Sequence, residues 1–299
     1  MPTGPVAVLV NPTVGHGRHR GLLPAVLQKL AAAGRPVEVV AADSGAQAPA
    51  ACRAALAAGA SALVAVGGDG TVHLGLQAVA GTPVPFGIVP AGTGNDIASN
   101  LGLPAGALDA AEALAGALRA GRTRAVDLGL VTLSGGDVRW FAGVLGAGFD
   151  AVVNERANGM RFPRGPRRYD VAILTELARL RPRGYKLGLD GVTTPVDAVL
   201  VAVANTACYG GGFRISPDAD PTDGLLDVVV GGRFTRAGLV RILPHVRRGT
   251  HLGHRLVTAH RARTVTLDAD GITAYADGER IGPLPLTVTC IPAALTLLC

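Results

Sequence analysis

Lysine and paired cysteine are scarce in this sequence of 299 residues. Lys29 and Lys186 are its only lysines and no Gly-Lys pair occurs, which excludes a Walker A phosphate loop. The four cysteines form no Cys-x-x-Cys pair, which argues against a zinc site or a disulfide scaffold. No apolar run reaches the roughly 18 residues of a spanning helix, and the N-terminus lacks a secretion signal. We therefore expect a soluble, cytoplasmic protein.

Aromatic residues and acidic charge are also low. Aromatics make up 4% of the chain and hydrophobic residues 48%, so we expect cores built from Ala, Val and Leu. The formal net charge is +6 and comes almost entirely from arginine. That balance suits an anionic partner such as nucleotide phosphate or an acidic membrane surface. Compositional drift in an Ala- and Arg-rich proteome explains most single arginines equally well.

Residues 1–125 alternate apolar runs with helical patterns. Four continuous apolar runs are predicted strands of a parallel sheet covered on both faces: 6–10, 36–40, 62–66 and 85–89. Helices are predicted over about 20–33 and 46–58, and after residues 71 and 95. This pattern predicts a Rossmann-like α/β domain, which binds ligands beyond the carboxyl ends of its strands.

Residues 126–284 carry short strand-like runs bounded by Gly, Pro, Asp and Asn. They predict an antiparallel β-sandwich domain, interrupted by one helix over about 168–180. We expect the tail, about residues 285–299, to return to the first domain.

Three loops at one predicted sheet edge carry unusual residues: NPTVGHG (11–17), GGDGT (67–71) and PAGTGND (90–96). Glycines between a strand and a helix leave backbone amides bare for phosphate, and Asp69 could hold an accompanying metal. The alternative is a tight turn that needs glycine for its backbone angles, with Asp69 capping a helix. Three such loops together favour a binding site.

Three further motifs have two interpretations each. GAGFDA (146–151) matches a dinucleotide pattern, but we interpret it as strand packing because it lies in the β-rich half. PDADPTDGLLD (217–227) is no EF-hand and is either a looser Mg²⁺ or Ca²⁺ site or a turn before a strand. ADGER (276–280) is either a hairpin turn or the segment that presents Glu279 as a base.

Taken together, NPTVGHG, GGDGT, PAGTGNDIASNLGLP, DGLLDV and DGE resemble, in order and spacing, the diacylglycerol kinase catalytic-domain family. The resemblance covers nearly the whole chain. It implies an ATP- and Mg²⁺-dependent lipid kinase that phosphorylates a hydroxyl of diacylglycerol or a related lipid. It also implies an active site in the cleft between an α/β domain and a β-sandwich domain.

The resemblance assigns roles by position. Glu279 matches the general base, Asp69 and Asp96 would help to position Mg·ATP, and Asp127 matches an acidic residue counted among the catalytic ones. The expected nucleotide contacts are Asn11, Ser44, Gly67, Gly68, Asp69, Gly70, Thr71, His73, Thr93, Gly94, Asn95 and Asp96. A structural Mg²⁺ is expected on the Asp223 side chain, near the backbones of Asp220 and Leu225.

Two loops depart from the family pattern. His16 stands where relatives often have lysine, and His73 and Leu74 replace a frequent Asn-Glu pair. Two alternatives therefore stay open: an NAD kinase-like enzyme, and a nucleotide-binding regulator that has lost catalysis.

The expected partners are a lipid substrate at a membrane surface and a second copy in a homodimer, with no nucleic acid. The arginine-rich segment 160–183 is either a membrane contact or a solvated helix packed on the β domain.

Overall fold

The computed structural model describes residues 4–10, 21–42, 44–160, 162 and 167–299. The side chains of Arg167, Tyr169 and Asp170 are not described. The chain divides into two compact units. Unit 1 comprises Met1–Leu128 and Ile291–Cys299, and unit 2 comprises Gly129–Cys290.

Unit 1 is built on a parallel sheet, as the sequence predicts. Its strands are β1 (Val6–Val10), β2 (Val37–Val39), β3 (Ala62–Gly67) and β4 (Phe86–Pro90), in the order β2-β1-β3-β4. The strands β3 and β4 are buried throughout, because helices cover both faces of the sheet. The final strand of the chain, β16 (Leu286–Leu298), pairs in parallel with β4 through Leu297 and Phe86.

The helices of unit 1 follow the strands that the apolar runs predict. They are α1 (Leu22–Ala31), α2 (Ala48–Ala57), α3 (Asp69–Val79), α4 (Asp96–Asn100) and α5 (Ala107–Ala120). Leu114 and Leu118 of α5 pack in one core cluster with Val64 of β3 and Leu298 of β16. The strand β5 (Thr123–Leu133) follows, and the division between the two units falls within it, after Leu128.

Unit 2 contains two antiparallel sheets, so the predicted β-sandwich is confirmed. One sheet joins β16 to β13 (Thr264–Asp268), β8 (Arg183–Leu189) and β9 (Val192–Ala198). The other has the order β12-β11-β10-β7-β14-β15. Its strands are β7 (Val144–Gly148), β10 (Leu200–Ala204), β11 (Leu226–Gly231), β12 (Val257–Ala262), β14 (Thr273–Ala276) and β15 (Glu279–Pro283). The strand β6 (Val138–Phe141) pairs with β5.

Alternation along the strands builds the sandwich core. Val201 and Val203 of β10 face a cluster shared with Leu187 and Val265 of the other sheet. Ala202 and its neighbours on the opposite face pack against a helix instead. The central strand β10 is therefore covered on both faces.

Where the structure describes unit 2, it has three α-helices: α6 (Phe149–Gly159), α7 (Arg167–Ala178) and α8 (Arg236–Arg248). The helix predicted over about 168–180 corresponds to α7, whereas α6 and α8 were not predicted. GAGFDA is correspondingly a strand-to-helix junction, since β7 ends at Gly148 and α6 follows at once. Thr235 caps the N-terminus of α8, since its hydroxyl accepts a hydrogen bond from the Gly238 amide at 3.1 Å. Among the described residues, no helix has the length and apolar character needed to cross a membrane.

Candidate functional site

GGDGT forms the junction between β3 and α3. The strand ends at Gly67, Gly68 precedes the helix in an extended conformation, and α3 starts at Asp69. A Cβ on Gly67 would lie 2.2 Å from Oγ1 of Thr71, so this position admits only glycine. The first amides of a helix have no acceptor within it, and here they belong to Gly68, Asp69 and Gly70. The junction therefore has the geometry of a phosphate-binding turn.

PAGTGND lies directly against this junction. A Cβ on Gly92 would lie 2.4 Å from Cα of Gly68, so the two backbones touch through paired glycines. Asn95, in a left-handed conformation, shapes the loop: its Oδ1 accepts from the Gly92 amide at 2.9 Å and its Nδ2 donates to the Gly92 carbonyl at 3.1 Å. Thr93 and Gly94 stay exposed. Two loops that the sequence predicts at one sheet edge are thus in contact.

Asp69 and Asp96 converge on Gly94. Oδ1 of Asp69 accepts a hydrogen bond from the Ile97 amide at 3.0 Å, which ties the first loop to α4. A Cβ on Gly94 would lie 3.0 Å from Oδ2 of Asp69 and 3.8 Å from Oδ2 of Asp96. Two carboxylate oxygens from separate loops therefore face one small space, and Mg²⁺ prefers such oxygen ligands.

The remaining predicted nucleotide contacts of unit 1 lie in different surroundings. Ser44 is exposed in the turn before α2, and a Cβ on its neighbour Gly45 would lie 3.6 Å from Leu74 of α3. His73 is 6% exposed within α3, and the Gln77 side chain donates to its backbone carbonyl at 3.2 Å. Asn11 and His16 lie outside the described residues. For Asn11, Ser44 and His73, the role as a nucleotide contact stays a prediction.

Asp127 is buried in β5, with 4% of its surface exposed. Its Oδ1 accepts a hydrogen bond from the backbone amide of Ala293 at 2.7 Å, across 166 residues of sequence. Ala293 has a positive φ of 52°, so the aspartate holds an unusual bend inside β16. This contact is structural, and the predicted catalytic role of Asp127 stays a prediction.

Glu279 is exposed at the start of β15, after a two-residue turn. Asp277 and Gly278 have φ angles of 53° and 83°, as a type I′ hairpin turn requires, so the hairpin interpretation of ADGER holds. The Asp277 carboxylate accepts hydrogen bonds from the amides of Ala142 and Gly143, both at 2.9 Å. These hydrogen bonds fix the position of the turn, and Glu279 is the first residue after it. The role of Glu279 as base stays a prediction.

The segment 217–227 is a turn-rich loop before β11. Oδ1 of Asp220 accepts from the amide and hydroxyl of Thr222, and Oδ1 of Asp223 accepts from the Leu225 amide at 3.0 Å. Oδ2 of Asp223 contacts the guanidinium of Arg261 on β12. Both oxygens of Asp223 are therefore engaged with other groups of the protein.

Within the described ranges, no group of three or more His, Cys, Asp and Glu side chains could hold a metal ion. The metal site at Asp220, Asp223 and Leu225 stays a prediction.

Sequence reasoning missed Asp150, in the first turn of α6. Burial raises the pKa of its carboxyl to about 6, and hydrogen bonds from the Ala151 amide and the Tyr209 hydroxyl only partly offset that rise. Oδ1 is buried without a hydrogen-bond partner, and a Cβ on Gly146 would collide with Oδ2. The available signal was an aspartate two residues after Gly148, at the start of a helix.

Two family models match the chain in tandem. The model described as "Diacylglycerol kinase catalytic domain" matches residues 5–131. The model described as "YegS C-terminal NAD kinase beta sandwich-like domain" matches residues 143–299. Both loops of the unit 1 site fall in the first match, and Glu279 falls in the second.

Curated relatives match over almost the full length. A diacylglycerol kinase of Mycobacterium tuberculosis (strain ATCC 25618 / H37Rv) is 41% identical over 99% of this chain and 95% of its own. A diacylglycerol kinase of Bacillus subtilis (strain 168) is 27% identical over 93% and 90%.

A solved structure of a diacylglycerol kinase from Bacillus anthracis str. Sterne has a TM-score of 0.72 at 20% identity. It covers 98% of this chain and 96% of that one. At that identity, the likeness shows the fold.

Proposed function

This chain belongs to the diacylglycerol kinase family, and on that premise we propose that it transfers the γ-phosphoryl group of ATP to the free hydroxyl of diacylglycerol, giving phosphatidic acid and ADP. The observation that carries the proposal is the contact between GGDGT and PAGTGND. Glycines at Gly68 and Gly92 bring the backbones together, and the Asp69–Ile97 hydrogen bond locks them. Phosphoryl transfer needs above all that the phosphates are positioned and that their charge is neutralised. The backbone amides of this turn would position the phosphates.

Mg²⁺ would bind at Asp69 and Asp96 and would neutralise charge on the triphosphate. The two carboxylates fit that task because their Oδ2 atoms face the same space beside Gly94. The absent Cβ of Gly94 keeps that space open. The amides at the start of α3 would meet phosphate oxygens directly.

Glu279 would accept the proton of the lipid hydroxyl as its oxygen attacks the γ-phosphorus. The new O–P bond forms while the bond between the γ-phosphorus and the bridging β,γ-oxygen breaks, so ADP leaves and the proton stays on Glu279. The carboxylate is exposed to solvent and is free to meet a substrate. Asp277 would act as a positioning residue, since it fixes the turn from which Glu279 extends.

The test is transfer of labelled γ-phosphate from ATP with Mg²⁺ to diacylglycerol in detergent micelles, with NAD as a parallel acceptor. We expect labelled phosphatidic acid and no labelled dinucleotide. Glu279→Gln should lower kcat by about a thousandfold, the range of general-base catalysis. Label in NAD alone would favour the NAD kinase-like alternative.

Asp137→Asn is the matched control, because this exposed carboxylate lies beside another hairpin turn of unit 2, between β5 and β6. Its rate should equal that of the wild-type protein. ATP binding without transfer to any acceptor would refute the proposal and favour a regulator that has lost catalysis.

A further inference from the structure

The buried dipeptide Ala142–Gly143 supports the turn from which Glu279 extends. It lies directly before β7. Both of its amides donate to the carboxylate of Asp277, at 2.9 Å each. A Cβ on Gly143 would lie 2.6 Å from Oδ1 of Asp277, so glycine is what lets the carboxylate approach. The position of the turn therefore depends on the position of this dipeptide.

Asn205 holds the same dipeptide by its two carbonyls. Its Nδ2 donates to the Ala142 carbonyl at 2.8 Å, and its backbone amide donates to the Gly143 carbonyl at 2.8 Å. All four backbone polar groups of the dipeptide are thus hydrogen-bonded, two to Asp277 and two to Asn205. Asn205 is 1% exposed and directly follows β10, the strand that is covered on both faces. The dipeptide therefore connects the turn to the interior of unit 2.

These side chains act where the strand pairing ends. The pairing of β14 with β7 ends at Ala276, and the pairing of β10 with β7 ends at Ala204. Asp277 and Asn205 are the next residues after these two, and each extends the contact with a side-chain hydrogen bond. An amide suits the buried position because it supplies the N–H donor that a carbonyl needs without burying a charge.

We propose that Asn205 is a positioning residue for Glu279. It holds Ala142–Gly143 in place, so that Asp277 and the turn present the Glu279 carboxylate to the lipid hydroxyl at a constant distance. The inference rests on the proposed function, in which Glu279 is the base. A base must lie within about 3 Å of the oxygen whose proton it accepts, and a misplacement of about 1 Å lowers the rate about a hundredfold.

The kinetic test is a double-mutant cycle on kcat, with diacylglycerol in micelles as the acceptor. Asn205→Ala should lower kcat about a hundredfold. It should leave KM for ATP within about twofold, because the loops proposed to bind ATP belong to unit 1. In a Glu279→Gln background the same substitution should lower kcat by less than about twofold, because no base remains to be misplaced.

Thr206→Val is the matched control. Thr206 is the next residue, is equally buried at 1% exposure, and has a hydroxyl with no hydrogen-bond partner among the described residues. Its kcat should equal that of the wild-type protein, and its midpoint in urea should be equal or higher. Where Asn205→Ala fails to fold, Asn205→Ser keeps a shorter donor, and its kcat should be about tenfold lower than that of the wild-type protein.

Hydrogen exchange of the Ala142 and Gly143 amides tests the same contact without ATP or lipid. In Asn205→Ala both amides should exchange at least about tenfold faster than in the wild-type protein. In Thr206→Val they should exchange at the wild-type rate. This measurement separates the support of the turn from the chemistry of the base.

An unchanged kcat in Asn205→Ala would overturn the proposal, and so would unchanged exchange of the two amides. Equal loss of kcat in the wild-type and Glu279→Gln backgrounds would also overturn it, because it would assign Asn205 a general structural role. A wild-type protein that transfers phosphate to no acceptor would instead refute the proposed function. Hydrogen exchange would then still decide whether Asn205 holds the turn.

Discussion

The Asp-Gly pair at 69–70 in unit 1 and the pair at 277–278 in unit 2 take opposite backbone conformations, and yet their carboxylates make the same kind of contact. Asp69-Gly70 opens a helix after a buried strand, whereas Asp277-Gly278 is a left-handed hairpin turn. Asp69 accepts a hydrogen bond from an amide 28 residues away in sequence. Asp277 accepts hydrogen bonds from two amides, 134 and 135 residues away. The flanking elements decide the local conformation, while the short acidic side chain serves in both places to fasten a distant loop.

Replacing Asp277 with alanine should have the largest effect on stability. It removes two hydrogen bonds to a charged acceptor and puts alanine at a positive φ, which together should cost about 4 kcal/mol in the free energy of unfolding. Urea unfolding measures this. Asp277→Asn keeps one acceptor oxygen and tolerates the left-handed conformation, so its cost should be about half. Equal stability of the alanine variant and the wild-type protein would mean that the two hydrogen bonds contribute nothing.

Asp150 contrasts with Asp69 and Asp277 because its carboxylate is buried and one of its oxygens has no hydrogen-bond partner. Its pKa is raised to about 6, so the native state holds the proton to higher pH than the unfolded chain. The stabilising effect of that protonation is complete below about pH 4 and is lost as the pH rises through about 6. Relative to Asp150→Asn, the wild-type protein should lose about 3 kcal/mol between about pH 4 and pH 8. Parallel pH profiles for the two proteins would contradict the raised pKa.

The substitution Asp69→Asn separates the two roles of Asp69, its hydrogen bond to the Ile97 amide and its negative charge. The amide oxygen can still accept from the Ile97 amide, so the free energy of unfolding should change by less than about 1 kcal/mol. Loss of the negative charge beside Asp96 should lower kcat/KM for ATP by about a hundredfold. Steady-state kinetics with Mg²⁺ varied, together with urea unfolding, measures both. An unchanged rate would leave Asp69 with a structural role alone.

The contact between Gly68 and Gly92 gives a smaller expected effect than the loss of about a hundredfold in kcat/KM at Asp69. A Cβ on Gly92 would lie 2.4 Å from a backbone atom, which cannot rotate away as a side chain can. Gly92→Ala should therefore cost about 2 kcal/mol by thermal or urea unfolding and should also raise KM for ATP. Gly21→Ala, in the same unit, has nothing within 4 Å and should cost less than about 1 kcal/mol. Similar costs for both would show that the two loops do not depend on close approach.

The sequence was informative wherever the signal was local. Continuous apolar runs identified the parallel strands β1 to β4, because a strand covered on both faces has no polar alternation. The caps of α8, Thr235 and Gly249, were equally local. They were overlooked among runs that suggested strands, and Pro244 within the helix weakened the pattern. The helix α6 was missed because GAGFDA looks like a continuation of β7 until Gly148 turns the chain.

Contacts between distant residues left no such signal. Nothing local links Asp277 with Ala142, Asp127 with Ala293, or Arg261 with Asp223, since each pair is defined only after the sheets have formed. In the candidate site, too, the sequence predicted the local feature and not the contact between distant residues. GGDGT and PAGTGND were placed at one edge by strand order, whereas the two oxygens beside Gly94 emerge from the geometry of the loops.

The path of β16 has a consequence for the order in which the protein forms on the ribosome. Leu298 completes the core of unit 1, the Ala293 amide supplies the partner of buried Asp127, and Leu297 extends the sheet beside β4. All three are synthesised after the whole of unit 2 has been translated. Unit 1 therefore starts first and finishes last, so its nascent form must wait with an open sheet edge while more than half of the chain is translated.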